Sequence, residues 1–193
     1  MLTTKLRERR VSTTWVATSL QIQLVADELG LATLPLPGAR IAKVIDGADQ
    51  VDKKLNLIKG GGGALLKEKI LLGNAREAII VADEKKFAEK LCMGDVRVPV
   101  EVVPFARRTV SSRMEELKGD VKVRLDQRGF PVYSENGNVL IDVLFDPIKN
   151  PAKLEGEIKA TPGVVEVGIF VVRPITVCKI LPSGDYEPLS SKS

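Results

Sequence analysis

Four consecutive glycines, Gly60 to Gly63, follow Lys59 and run straight into the helix-forming segment A-L-L-K-E-K-I. Glycine loses more backbone freedom on folding than any other residue, so a fold keeps four together only where bare backbone is needed. A glycine loop that feeds a helix N-terminus presents N–H groups and the positive end of a dipole to an anion. Lys59 adds a full positive charge beside it. On the helix that follows, Glu68 falls between Leu71 and Leu72 with Leu65 close by. A carboxylate on such an apolar stripe is partly desolvated, which raises its pKa toward the range of a general base. Taken alone, the stretch also fits a flexible loop followed by a surface helix.

Just upstream, residues 41–50 read I-A-K-V-I-D-G-A-D-Q. Ile41, Val44 and Ile45 predict a short buried parallel strand. Asp46 stands where that strand should end, Gly47 permits a sharp turn, and Ala48 leads to Asp49. Ligands of open α/β sheets bind beyond the carboxyl ends of the strands. Two carboxylates there can accept hydrogen bonds from sugar hydroxyls or shuttle protons. An ordinary Asp-Gly turn is the alternative.

The wider pattern predicts an α/β protein. A strand over 11–17, a helix over 19–29 stopped by Gly30, a strand over 41–45, a helix over 64–72 ended by Gly73 and a strand over 78–82 alternate as in a parallel sheet. Residues 85–90 read as the start of another helix, with Asp83 as its cap. After Met93-Gly94 the order becomes strand 98–103, helix 106–117, strand 121–125, turn Asn136-Gly137, strand 139–144, helix 151–160 and strand 164–172. That is the split βαβ of a ferredoxin-like module. A last strand over 176–181 should return to the first sheet, and 183–193 reads as loop. The expectation is a Rossmann-like α/β domain, 1–96 plus 173–193, and a smaller ferredoxin-like α+β domain, 97–172.

Composition narrows the chemistry. The 193 residues contain no histidine, so imidazole-based catalysis and imidazole metal ligands are excluded. Proton transfer near neutral pH would fall to a tuned Glu, Asp or Lys. Cys92 and Cys178 are too few for a disulfide framework or a zinc site, which suits a cytoplasmic setting. No apolar run is long enough to span a membrane. The net charge of +4 suits anionic ligands, but aromatic residues are only 4% of the chain, so base stacking is poorly supplied and no nucleic-acid partner is expected.

D-G-A-D at 46–49 followed by K-G-G-G-G-A-L-L-K-E-K at 59–69 resembles the signature pairing of ribose-5-phosphate isomerase type A. V-A-D-E-K-K at 81–86, V-P-V-E-V-V-P at 98–104, E-N-G-N at 135–138 and T-P-G-V-V-E-V-G at 161–168 resemble further family landmarks in family order. The resemblance covers roughly 12–172 and implies aldose–ketose isomerisation of ribose 5-phosphate and ribulose 5-phosphate through an enediolate, with no metal and no cofactor. It implies Glu68 as the base, Asp46 as an acid near O1 and O2, Asp49 as its partner in the turn, and Lys59 as the cation facing the enediolate. Asp46, Gly47, Ala48, Asp49, Lys59, Gly60, Gly61, Gly62 and Lys86 would line the substrate, Lys86 toward its phosphate or sugar end. A homodimer or homotetramer is implied as well. One landmark is missing: nothing here matches the family's G-x-G-T-G-S-T-like phosphate loop. The expectation is a chain without the family's opening helix, strand and loop, whether through a start codon called too late, a genuine truncation, or loss of catalysis. A non-catalytic sugar-phosphate-binding protein of the same fold is therefore the alternative.

Overall fold

The computed structural model describes residues 14–35, 41–172 and 174–191. The chain divides into two compact units, Met1–Arg40 and Ile41–Ser193. In the first, Trp15 forms a parallel bridge with Thr33, and α1 (Leu20–Glu28) lies between them. Ser19 caps that helix by accepting a hydrogen bond from the Ile22 N–H at 3.2 Å. The strand expected over 11–17 is reduced to this bridge over its described part; residues 11–13 lie outside the described residues.

Among the described residues, the second unit holds three four-stranded sheets. In the first, β1 (Ile41–Gly47) pairs in parallel with β4 (Ala75–Asp83), which pairs in parallel with β11 (Thr176–Ile180). The return of the chain to this sheet at 176 follows the expectation. Its hairpin partner β12 (Tyr186–Ser190) does not, because residues 183–193 read as loop. β1 is a sheet edge among the described residues, and Ile45 is 45% exposed rather than buried. Between β1 and β4 runs α2 (Leu65–Asn74), which passes through Gly73 and ends one residue later, where β4 begins directly.

The second sheet is short-stranded, in the order β10-β3-β2-β5. It consists of β2 (Gln50–Asp52), β3 (Leu57–Ile58), β5 (Phe87–Ala88) and β10 (Ile169–Phe170). β5 replaces the helix expected over 85–90. Only one 3₁₀ turn, Glu84–Lys86, forms there, and Asp83 gives it no side-chain cap. Phe87 then pairs with Val51 in parallel register.

The third sheet is antiparallel, in the order β7-β8-β6-β9, the arrangement of a ferredoxin-like module. Its strands are β6 (Val98–Val102), β7 (Asp120–Val123), β8 (Val139–Leu144) and β9 (Val164–Val167), with α3 (Arg107–Glu116) and α4 (Pro151–Lys159) as the crossing helices. Val98, Val100 and Val102 join Val110, Met114, Ile141, Val143 and Ile158 in the main core. Each such side chain contributes roughly 1.5–3 kcal/mol when fully buried. By the two-residue period of a strand, Pro99 and Glu101 face the other way.

The strand expected over 164–172 is cut at Gly168, and its second half joins a different sheet. A Cβ at Gly168 would sit 2.4 Å from the Lys59 carbonyl oxygen and 2.7 Å from Pro99 Cδ. The bare backbone lets three segments close together. Gly168 N–H donates to the Pro99 carbonyl at 2.7 Å, and Lys59 N–H donates to the Gly168 carbonyl at 3.0 Å. This junction fixes the residue from which the glycine loop departs.

Candidate active site

Asp46 lies near the end of β1, Lys59 directly after β3, and Glu68 in the first turn of α2. Three elements distant in sequence thus deliver one charged cluster. Lys59 is 3% exposed, and its Nζ lies 2.9 Å from Asp46 Oδ2 and 3.0 Å from Glu68 Oε2. The same ammonium donates to the Gly47 carbonyl at 2.7 Å. A buried cation between two carboxylates is the arrangement that offsets its own desolvation. Both of those carboxylate oxygens are buried against the Lys59 ammonium. Asp46 Oδ1 accepts from the Gly47 N–H at 2.7 Å, which holds the side chain in its turn.

Burial drives the Glu68 pKa above its ordinary value. The nearby Lys59 charge opposes that rise, and Asp46 adds to it. The result is a carboxylate that gives up its proton less readily than a solvated Glu and takes one back more readily. The stripe of Leu65, Leu71 and Leu72, all buried, supplies the low-polarity surroundings that the helical spacing predicts.

Asp49 sits one turn further on. Its Oδ2 accepts from the Gly61 N–H at 2.8 Å, which ties the D-G-A-D turn to the glycine loop. Gly60 has φ +101°, a conformation that L side chains rarely adopt, and its carbonyl accepts from Gly63 N–H at 2.9 Å. Asp46, Gly47, Ala48, Asp49, Lys59, Gly60, Gly61 and Glu68 are therefore brought together. Lys86 is half-buried between the end of β4 and the start of β5, and no ion pair joins it to this cluster among the described residues.

Two parts of the surroundings carry no local sequence signal. The fully buried Phe170 ring lies 5.6 Å from Lys59 Nζ and 4.6 Å from Lys69 Nζ, so it offers its face to both cations. Lys69, next to Glu68 on α2, donates to the carbonyls of Val167 at 2.7 Å and Ile169 at 2.8 Å and pairs with Glu155 at 2.6 Å. These bonds lock α2 against β9 and β10. The second is Arg124, whose guanidinium reaches the glycine loop from the third sheet. Among the described residues no group of three or more Cys, Asp or Glu is arranged to hold a metal ion. A groove of about 630 Å³ between α3 and α4, lined by Arg108, Thr109, Arg113 and Thr161, contains none of the charged cluster.

Comparison with known proteins bears on the family of the chain. Residues 14–181 match the family model described as ribose 5-phosphate isomerase A (phosphoriboisomerase A). A ribose-5-phosphate isomerase A of Korarchaeum cryptofilum is 43% identical over 157 residues, which cover 81% of this chain and 69% of that one. The solved structure of ribose 5-phosphate isomerase A from Methanocaldococcus jannaschii superposes with TM-score 0.91 at 35% identity, covering 98% of this chain and 84% of that one. A D-ribose-5-phosphate isomerase solved in complex with phospho-erythronic acid superposes at 0.92 with 35% identity, covering 98% and 83%. On sequence and fold together, the chain belongs to the ribose 5-phosphate isomerase A family.

Proposed function

We propose that this chain interconverts ribose 5-phosphate and ribulose 5-phosphate, with Glu68 as the base that moves the proton between C2 and C1. The observation that carries the reading is the buried Lys59 ammonium held between the Asp46 and Glu68 carboxylates. In the aldose, Glu68 takes the C2 proton, and the electron pair left behind forms the C1–C2 double bond of an enediolate. Negative charge gathers on the sugar oxygens, where Lys59 stabilises it at close range in a poorly solvated setting. Asp46 relays the proton between O1 and O2. The now protonated Glu68 then delivers its proton to C1, which yields the ketose.

Asp49 and the glycine loop hold the substrate in place. Asp49 fixes the Gly61 N–H, and the loop offers backbone donors along the sugar chain. Lys86, without an ion-pair partner among the described residues, is proposed for the phosphate or sugar end. Binding energy from the non-reacting phosphate aligns the carbon that reacts. Phospho-erythronic acid, which one solved relative binds, is proposed as a ligand of this site too.

The same reading includes a homodimer or homotetramer and a cytoplasmic location. Among the described residues no helix is long and apolar enough to cross a membrane. It also includes the domain division 1–96 plus 173–193 and 97–172. The antiparallel sheet β6–β9 within 98–167 supports that division, with β10 as the strand that ties the two parts.

The direct test is turnover of ribose 5-phosphate by the full chain, followed as ribulose 5-phosphate formed, with phospho-erythronic acid as competitor. The expected result is turnover that the acid suppresses competitively. A folded chain that binds the acid yet forms no ribulose 5-phosphate would favour a non-catalytic sugar-phosphate-binding protein.

A further inference from the structure

The glycine loop is gripped from the third sheet by a pair that the motifs do not mention. Arg124 follows β7, and Asp142 stands on β8. Their side chains meet fork to fork: Arg124 Nε donates to Asp142 Oδ2 at 2.8 Å, and Nη2 donates to Oδ1. That pairing leaves Nη1 for the loop. It donates to the carbonyl of Gly60 at 3.1 Å and to the carbonyl of Gly61 at 2.9 Å.

The directions of these bonds matter. The Gly60 carbonyl and the Gly61 N–H belong to one peptide unit, and in a trans unit they point opposite ways. The first accepts from Arg124 and from the Gly63 N–H, and the second donates to Asp49 Oδ2. The unit is strung between Arg124 and Asp49. The next unit carries the Gly61 carbonyl and the Gly62 N–H. Its carbonyl is held by the same guanidinium, so its N–H points away from Arg124. That N–H has no partner among the described residues. A Cβ built at Gly62 would meet nothing within 4 Å, so the space there is open.

We propose that Arg124 is a positioning residue: by holding the Gly60 and Gly61 carbonyls it aims the Gly62 N–H into the reaction site as a preset donor to a sugar oxygen. The inference rests on the isomerase reading above. A backbone amide in a glycine run has no side chain to orient it, so its aim must come from bonds to the neighbouring carbonyls. A planar guanidinium can serve a carboxylate and two carbonyls together, whereas a lysine ammonium is a point donor without that fork. Asp142 holds the fork in plane.

The test compares Arg124→Met, Arg124→Lys and Asp142→Asn with the parent chain. Four quantities are read: kcat, KM, melting temperature, and the hydrogen-exchange rates of the Gly61 and Gly62 amides. Arg124→Met is expected to lose about 10²-fold in kcat/KM, the scale of a small misplacement of reacting groups, with faster exchange at Gly61. Arg124→Lys should recover little of either. Asp142→Asn keeps one acceptor for the guanidinium but loosens the fork, so its loss in kcat/KM and its Gly61 exchange rate should lie between those of the parent and of Arg124→Met. Near-parental turnover in the Arg124 variants overturns the proposal. So does a fall in kcat/KM across the three variants that tracks melting temperature while Gly61 exchange stays at the parent's rate, because activity would then follow stability alone. If Arg124→Met does not fold, Arg124→Lys decides by the same criteria. A parent without turnover refutes the isomerase reading instead. The exchange rates then decide the clamp, and unchanged Gly61 protection in Arg124→Lys overturns it.

Discussion

Glu68 carries two opposed demands, and both can be measured. As the base it should be hard to replace: Glu68→Gln is expected to lower turnover by roughly 10²–10⁴-fold, with little change in affinity for phospho-erythronic acid. Near-normal turnover would remove Glu68 from its role. As a buried carboxylate it should weaken the fold. Its folded pKa is raised, so the folded state holds the proton to higher pH than the unfolded chain does, and stability falls as pH rises through that interval. Glutamine stays neutral throughout. Glu68→Gln should therefore melt at or above the parent temperature at neutral pH, and the advantage should vanish below the ordinary Glu value of 4.5. A lower melting temperature at neutral pH would show that the Lys59 pairing outweighs the burial. The same shift places the acid limb of kcat/KM above 4.5, and a limb at or below that value would contradict it. Asp46, Lys59 and Glu68 were legible in the sequence because each sits at an element end that a local pattern marks. Arg124 and Phe170 were not, because they reach the cluster only through sheet register and tertiary packing.

At the scale of elements, the sequence was most legible where periodicity was long and least where tertiary pairing overrode it. The helices over 65–74, 107–116 and 151–159 follow their spacing closely. Residues 85–90 have helix-forming composition, yet Phe87 and Ala88 gain more by pairing with Val51 and Asp52. The tail over 186–190 contains Pro188, which reads as loop, but an edge strand tolerates a residue without an N–H. β2 was hidden in a polar stretch because its burial depends on Gln50, whose amide donates to the Met93 carbonyl at 2.6 Å and accepts from the Cys92 N–H at 2.7 Å. The glycine loop itself gives a contrast between neighbours. A Cβ at Gly61 would lie 2.8 Å from Asp49 Oδ1, whereas one at Gly62 meets open space. Gly61→Ala should therefore displace Asp49 and reduce kcat/KM. Gly62→Ala should leave melting unchanged, within about 0.5 kcal/mol as for most unconstrained surface changes, but raise KM by filling space meant for the sugar. Equal kinetics for Gly62→Ala and the parent would show that the open space is not the substrate's.

For the whole molecule, the proposed chemistry needs only carboxylates, an ammonium and backbone donors. With no histidine in the chain, activity is expected to survive exhaustive chelation; loss on chelation and recovery with one divalent ion would refute that. The larger question is what covers the apolar surface. Between β7 and β8 the chain makes an excursion pinned by the bridges Leu125↔Pro131 and Tyr133↔Val139. On it Leu125 is 54% exposed, Phe130 64% and Tyr133 59%. Three large side chains on one short excursion leave in water an area that a monomer gains nothing by exposing, and a self-complementary contact is the simplest way to bury it. The bridges hold the excursion in a fixed shape, which lowers the entropy lost on association. The expected species in light scattering at micromolar concentration is a dimer or larger. Phe130→Glu combined with Tyr133→Glu should shift it toward monomer while leaving the melting profile cooperative, because neither side chain belongs to the main core. A monomeric parent would refute self-association. A variant that keeps the parent's mass would show that the contact lies on another face.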